Sequence, residues 1–464
     1  MYKRLLSLIV LVVLLSTALG ACAQPAPAPA SQPAAQPATQ PPKAAEPTKA
    51  PEAAKAAGAA KPFQGVQLTL LMHPTLFAAT GGDDGLVKKF ETDTGATVTV
   101  VKADIQPGLE KLNAEFLAKS GRYDVFNIEQ SWLADEFMQN LEPLDERIAK
   151  LDPAYDFNDL IPSLVKLGKL GEKVVAVPFR IGTTMLYFRK DLLDAKGLKP
   201  PTNYDELLAV AKALTEDTNG DGKPDVFGFA MRGKDLEVQH DYLQVLYAMG
   251  GSVLSPDLKK CTGNEEASVK SIQLFADLFK AGVMAPDVLA WGRDDMIASM
   301  QQGKTAMGIM YSPYWGRLID PAQSKFPDKM GWAFVPTAPG VKPGQTRVGG
   351  WHLGIDKNSK NKEAAWALLQ ALTNKDAQLL EALKFANGPV RASVYNNADY
   401  LKAFPLAKDW LASTAVSVGD NNHPRFAEMR DVMSALIPQV VQGKMTAKQA
   451  ANEYCKQVDA ILKK

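Results

Sequence analysis

From Ala23 to about residue 62 the chain holds almost nothing but Ala, Pro, Gln, Lys, Glu, Thr and Ser, and this stretch contains no aromatic side chain. So little apolar surface cannot offset the entropy of ordering, and a solvated, partly polyproline tether is expected here. Every core must therefore come from the residues after 62. These are about 400 in number, more than one hydrophobic core usually serves, so two lobes are expected.

Ahead of the tether, Lys3 and Arg4 precede an apolar run from Leu5 to Leu19 that stops at Leu19-Gly20-Ala21-Cys22. A run of about 15 residues suits a secretory signal and falls short of the roughly 20 needed to span a bilayer. The small pair Gly20-Ala21 fits a peptidase groove, so residues 1–21 are expected to be removed and the Cys22 thiol to carry lipid. Several acyl chains on one residue anchor firmly, whereas one binds only marginally. An ordinary signal peptide with an incidental cysteine is the alternative. On either reading the remainder faces away from the cytoplasm, in the periplasm or tethered to the outer face of the membrane.

Charge excludes a further class. Lys plus Arg number 52 against 51 Asp plus Glu, so no broad basic footprint for nucleic acid is present. Cys261 and Cys455 lie in a compartment where a disulfide persists, yet spacing alone leaves a bond and two free buried thiols both open.

The pattern after residue 62 alternates strand and helix. Val66 to Met72, Thr97 to Val101 and Tyr123 to Ile128 read as strands, with a helix at Leu86 to Glu91 and another around Leu109 to Ala118. That order implies a parallel α/β sheet, whose ligands sit beyond the carboxyl ends of the strands. The loops after Met72 and Ile128 should border a site. Two short apolar runs, Val174 to Pro178 and Thr184 to Phe188, enclose Arg180, Gly182 and Thr183. Thr202 or Asn203 is placed to cap the next helix. Phe227 to Met231, Ala306 to Met310, Met330 to Pro336 and Val348 to Ile355 follow as strands, and the last hundred residues read as mostly helical.

Several ordered strings make the chain resemble the extracellular sugar-type solute-binding proteins of ABC importers, the family that includes maltose-binding proteins. They are Tyr123-Asp124-Val125 with Trp132 and Leu141-Glu142-Pro143-Leu144-Asp145, then Val177-Pro178 with Leu186-Tyr187-Phe188-Arg189-Lys190-Asp191. Pro201-Thr202-Asn203-Tyr204-Asp205-Glu206-Leu207, Gln302-Gly303-Lys304-Thr305 with Trp315, Gly349-Gly350-Trp351, Lys362-Glu363-Ala364-Ala365-Trp366 and Gly388-Pro389-Val390-Arg391 continue the series. The resemblance implies an α/β, two-lobed periplasmic-binding-protein-like fold with discontinuous lobes joined by a hinge. Crossings near Pro178 to Thr183, Gly308 to Tyr311 and Gly349 to Trp351 imply a first lobe of 63–178 plus 310–349. The second lobe would be 179–309 plus 350–464. It also implies a sugar or oligosaccharide held in the cleft by a monomeric receptor and passed to membrane permease subunits, with no cofactor.

Sugar C–H faces stack on rings while hydroxyls need charged or amide partners. Glu129 and Trp132 follow a strand end, and Trp132 can equally anchor packing. Tyr311, Tyr314 and Trp315 follow the strand ending at Met310, where the resemblance implies an aromatic on the ligand. Trp351 follows two glycines at a crossing. Trp291 precedes a helix start, Arg391 offers a fork for paired hydroxyls or a carboxylate, and Asp83 can accept hydroxyl hydrogen bonds or cap a helix. Asp217, Asn219, Asp221 and Asp225 resemble the front half of a calcium loop, but the twelfth position is Gly228, so an Asx-rich turn competes with a structural calcium site.

Against catalysis, His73, His240, His352 and His423 show no HExxH spacing, and no GxSxG elbow or P-loop occurs. A glycoside hydrolase remains the enzyme alternative, because its two carboxylates need not be near in sequence. A binding protein for a non-sugar solute and an adhesive surface lipoprotein are the others.

Overall fold

The computed structural model describes residues 61–234, 237–385 and 387–463. The signal segment 1–21, Cys22 and the tether up to residue 60 lie outside the described residues, so the expectations placed on them stand on sequence. No described helix is long and apolar enough to cross a membrane.

Seven strands form the main sheet: β1 (Gln67–Met72), β2 (Thr97–Lys102), β3 (Val125–Glu129), β4 (Ala176–Arg189), β5 (Met307–Tyr311), β6 (Met330–Ala333) and β7 (Val348–Ile355). Their order is β2-β1-β3-β7-β4-β5, with β6 also paired to β4. β1 runs parallel to both β2 and β3. Leu68, Leu70 and Met72 of β1 enter one core, while Leu71 enters another with Phe116, Phe126 and Phe137. Burial on both faces is what a parallel sheet covered by helices requires.

β4 carries the two-lobed architecture. Its first half, Ala176 to Thr183, pairs antiparallel with β7, and its second half, Thr184 to Arg189, pairs with β5 and β6. One continuous strand thus changes partners between Thr183 and Thr184, where the Thr184 and Thr346 hydroxyls are 2.6 Å apart. The sequence pattern suggests two short strands with a break at Arg180–Thr183. No break forms, because each half finds ladder partners that satisfy its backbone. Alternate residues then split: Met185 and Tyr187 join the first core, and Leu186 and Phe188 join a second core with Phe229, Tyr242, Phe275, Ile309 and Tyr454.

The division at 350 is corrected by pairing. β7 binds β3 from Val125↔Ile355 to Glu129↔Trp351, and Trp366 and Trp410 pack in the first core. The chain returns to the second core only with Phe426 and the residues after it. Phe227 to Met231 is also less than a strand; it makes single bridges, Phe227 to Thr305 and Ala230 to Gly308. Asn203 does cap its helix, accepting the Glu206 N–H at 2.9 Å, while Thr202 donates through N–H and hydroxyl to the Glu206 carboxylate.

Cys261 and Cys455 are bonded, with Cα atoms 5.3 Å apart. This joins the segment ahead of helix Glu266–Lys280 to helix Ala447–Leu462 within the second core. The acidic loop is a turn: Asp217 accepts backbone N–H bonds from Asn219, Gly220 and Gly222, and Asp225 accepts from Thr218 and Asn219. Among the described residues no group of three or more His, Cys, Asp or Glu is placed to hold a metal ion.

Candidate functional site

Where β3, β7 and β4 lie side by side, Glu129 is opposite Trp351 and Trp351 is opposite Arg180. Directly opposed residues leave a sheet on the same face, so a carboxylate, an indole and a guanidinium form one row. With strands about 4.8 Å apart, the row's ends are about 10 Å from each other. Gly182 and Gly349 oppose one another in the same ladder. A Cβ on Gly182 would come within 3.1 Å of the Tyr311 ring, and one on Gly349 within 3.0 Å of the Tyr311 hydroxyl. The missing side chains are what let Tyr311 lie over the ladder.

Arg347, directly before β7, fixes that tyrosine. Its Nη1 donates to the Tyr311 hydroxyl and meets His240 Nδ1 at 2.9 Å, and its Nε and Nη2 hold the two Asp420 oxygens. Burial pulls the guanidinium pKa down, but Asp420 and Tyr311 push it back further, so the net shift is upward. His240 moves the other way: burial, then the charges of Arg347 and Arg232, push it well below the ordinary histidine range. The ring is therefore neutral and accepts from Arg347. Arg232 makes a similar buried pair with Asp241, 2.7 Å from Nε, and reaches Glu237 at 2.9 Å.

Aromatic surface surrounds the row. Trp351 meets Trp132 edge-on at 6.2 Å and lies 5.5 Å from the His73 ring. Trp132, Trp351, His73, Asn127, Asp104 and Gly108 line a small open pocket. Tyr314 stands edge-on to Tyr311 at 6.4 Å, with the Arg293 guanidinium 5.8 Å from its ring. Trp291 packs against both cores. Beside the row, both amide atoms of buried Gln130 lack a hydrogen-bond partner among the described residues, as do both of Gln244 and the Thr183 hydroxyl. Leaving such groups unpaired costs about 1–3 kcal/mol each, so they want polar company.

The structure thus brings together Glu129, Trp132, Tyr311, Tyr314 and Trp351, while Trp291 packs against the two cores. It separates three other candidates. Trp315 is 4% exposed, stacked on Tyr187 at 5.9 Å and edge-on to Trp332 at 5.2 Å, a packing position. Arg391 is fully buried, donating to the carbonyls of Thr373 and Asp156 and lying over the Tyr155 ring. Asp83 is 88% exposed and 3.8 Å from Lys102. Arg347 and Asp420 are absent from the sequence reading, where His240 enters only as one of four scattered histidines and Gln130 is not singled out as a site residue. Arg347 alone had a local signal, a cation at the head of an apolar strand two residues before Gly349.

Over residues 78–379 the chain matches the bacterial extracellular solute-binding protein family. It belongs to that family. This solute-binding protein is 30% identical to a "Probable ABC transporter-binding protein" of Deinococcus radiodurans, over 70% of this chain and 75% of that one. It is 27% identical to a mannitol-binding protein of Pseudomonas aeruginosa, over 68% and 71% of the two chains. Among solved structures, an ABC transporter solute-binding protein from Agrobacterium radiobacter in complex with ribitol matches at a TM-score of 0.76. Identity there is 28%, covering 86% of this solute-binding protein and all of the other.

Proposed function

We propose that this solute-binding protein captures a sugar or polyol between its lobes and delivers it to the permease of an ABC importer. The observation that carries this reading is the row Glu129–Trp351–Arg180, a ring face flanked by an acceptor and a donor fork where one strand changes lobes. An indole takes the C–H face of a polyhydroxylated chain, and the charged ends take its hydroxyls. The mannitol-binding and ribitol-bound relatives support the same class. Lipid on Cys22 and the tether that follows would hold the receptor near its permease while leaving the lobes free to close. In this reading binding alters no bond, and the buried carboxylates Asp241 and Asp420 are engaged in ion pairs with Arg232 and Arg347.

A thermal-shift screen of the mature chain against sugars, polyols and amino acids tests this, because a ligand bound only by the native state raises the melting temperature. A sugar or polyol should shift it and be recovered intact. A shift by amino acids alone, or hydrolysis products from an oligosaccharide, would overturn the reading.

A further inference from the structure

Arg180 differs from the other arginines around the ladder. Arg232 holds Asp241 and Glu237, Arg347 holds Asp420, and Arg293 holds Asp294 at 3.1 Å. Arg180, partly buried in β4, has no hydrogen bond and no ion pair among the described residues. The charged and titratable groups that act on it are Tyr314, Glu381 and Arg293, and it acts in turn on His73. Glu381 interacts with its charge but makes no hydrogen bond or ion pair with it. Burial pushes that carboxyl well above the usual carboxylate range, toward the neutral form, and its Oε2 already accepts from Asn387 at 2.6 Å and Gln378 at 3.1 Å. Glu129, at the far end of the row, acts on Arg347 and accepts from Ser131.

Resting on the sugar and polyol reading above, we infer that the solute carries one carboxylate, seated on Arg180, with its hydroxylated chain crossing Trp351 toward Glu129: a sugar acid rather than a neutral polyol. A guanidinium fork binds a carboxylate through two parallel N–H bonds, which a neutral diol matches in shape but not in charge. As the lobes close and water leaves, an uncompensated guanidinium becomes costlier and a paired one does not. The polarity of the row favours one orientation. Arg180 offers donors only and the Glu129 carboxylate acceptors only, so the acid end and the hydroxyl end of the solute have different destinations.

Calorimetric titration of the mature chain with matched pairs decides the matter: D-gluconate against D-glucitol, D-mannonate against D-mannitol, D-galactonate against galactitol. In the pair that fits, the acid should bind about tenfold tighter or more. Arg180→Gln should weaken the acid by about thirtyfold or more and the neutral partner, which loses hydrogen bonds but no charge pair, by clearly less, so that the acid preference disappears. Arg180→Lys, which keeps charge but loses the fork, should fall between, and an unchanged circular dichroism spectrum and melting temperature of the unliganded variants show that they fold. A neutral partner bound as tightly as its acid, or an acid preference that survives Arg180→Gln, overturns the inference and leaves the sugar reading intact. Failure of every pair, acid and neutral alike, overturns both.

Discussion

Arg347 donates through Nε to Asp420 Oδ1 at 2.7 Å, and a second bond runs from Nη2 to Oδ2, with both side chains 2% exposed or less. The pair ties the head of β7 to the segment after helix Ala407–Val416, and through Nη1 it sets Tyr311 and His240. Asp420→Asn leaves the guanidinium buried without a counter-charge and should cost about 3–5 kcal/mol in denaturant unfolding. Replacing both, Arg347→Met with Asp420→Leu, should cost less than the single change. A single variant as stable as wild type would show that the pair holds nothing in place.

The tryptophans separate packing from binding. Trp315→Ala opens a hole between Tyr187 and Trp332 and should lower unfolding free energy by about 3–5 kcal/mol. Its effect on solute affinity should be small once the protein is folded. The reverse outcome, full stability with lost affinity, would return Trp315 to the site.

His352 gives a pH signature. Burial pushes its pKa from 6.5 down to about 4, and its Nε2 donates to the Leu164 carbonyl at 3.0 Å. Between those values the unfolded chain binds a proton that the native ring refuses, so stability falls as pH drops from about 6.5 to 4. The loss from this residue should be about 3 kcal/mol. His352→Gln should reduce the slope of unfolding free energy over that window. Some slope remains, since burial also pushes His73, His240 and His423 down. An unchanged slope in the variant would show that His352 is not the group titrating.

The disulfide should act on stability alone. Cys261→Ser with Cys455→Ser should cost about 2–4 kcal/mol, and affinity should not change, because neither residue belongs to the ladder. Loss of binding in a folded double serine variant would show that the second core steers the site.

The acidic loop makes a negative prediction. Because Asp217 and Asp225 spend their oxygens on N–H and hydroxyl donors, millimolar calcium and EDTA should give the same melting temperature. A calcium-dependent rise would mean that the loop reorganises around the ion.

What the sequence showed and what it hid have physical causes. β1, β2 and β3 are legible because alternating or continuous apolar runs are local signals. The lobe division is not, because β7 chooses β3 as its neighbour across more than 200 residues, and nothing near Val348 announces that choice. Trp351 stands out because it follows Gly349 and Gly350, and Tyr311 because it ends the apolar run Met307 to Met310; only the fold brings Tyr311 against Gly182 and Gly349. Arg347 and Asp420 are 73 positions apart, and a buried ion pair leaves no trace in either neighbourhood. Arg391 misled for the converse reason: an arginine in a Gly-Pro loop looks available, and only the fold shows Tyr155 and Asp159 already around it.

The most direct test of the account is calorimetric titration of the best carbohydrate from the thermal-shift screen into wild type and Trp351→Ala. One solute per chain should bind, and loss of the indole face should weaken it by about thirtyfold or more without unfolding the protein. Equal affinity in the two proteins would contradict the claim that the Glu129–Trp351–Arg180 row is where the solute sits.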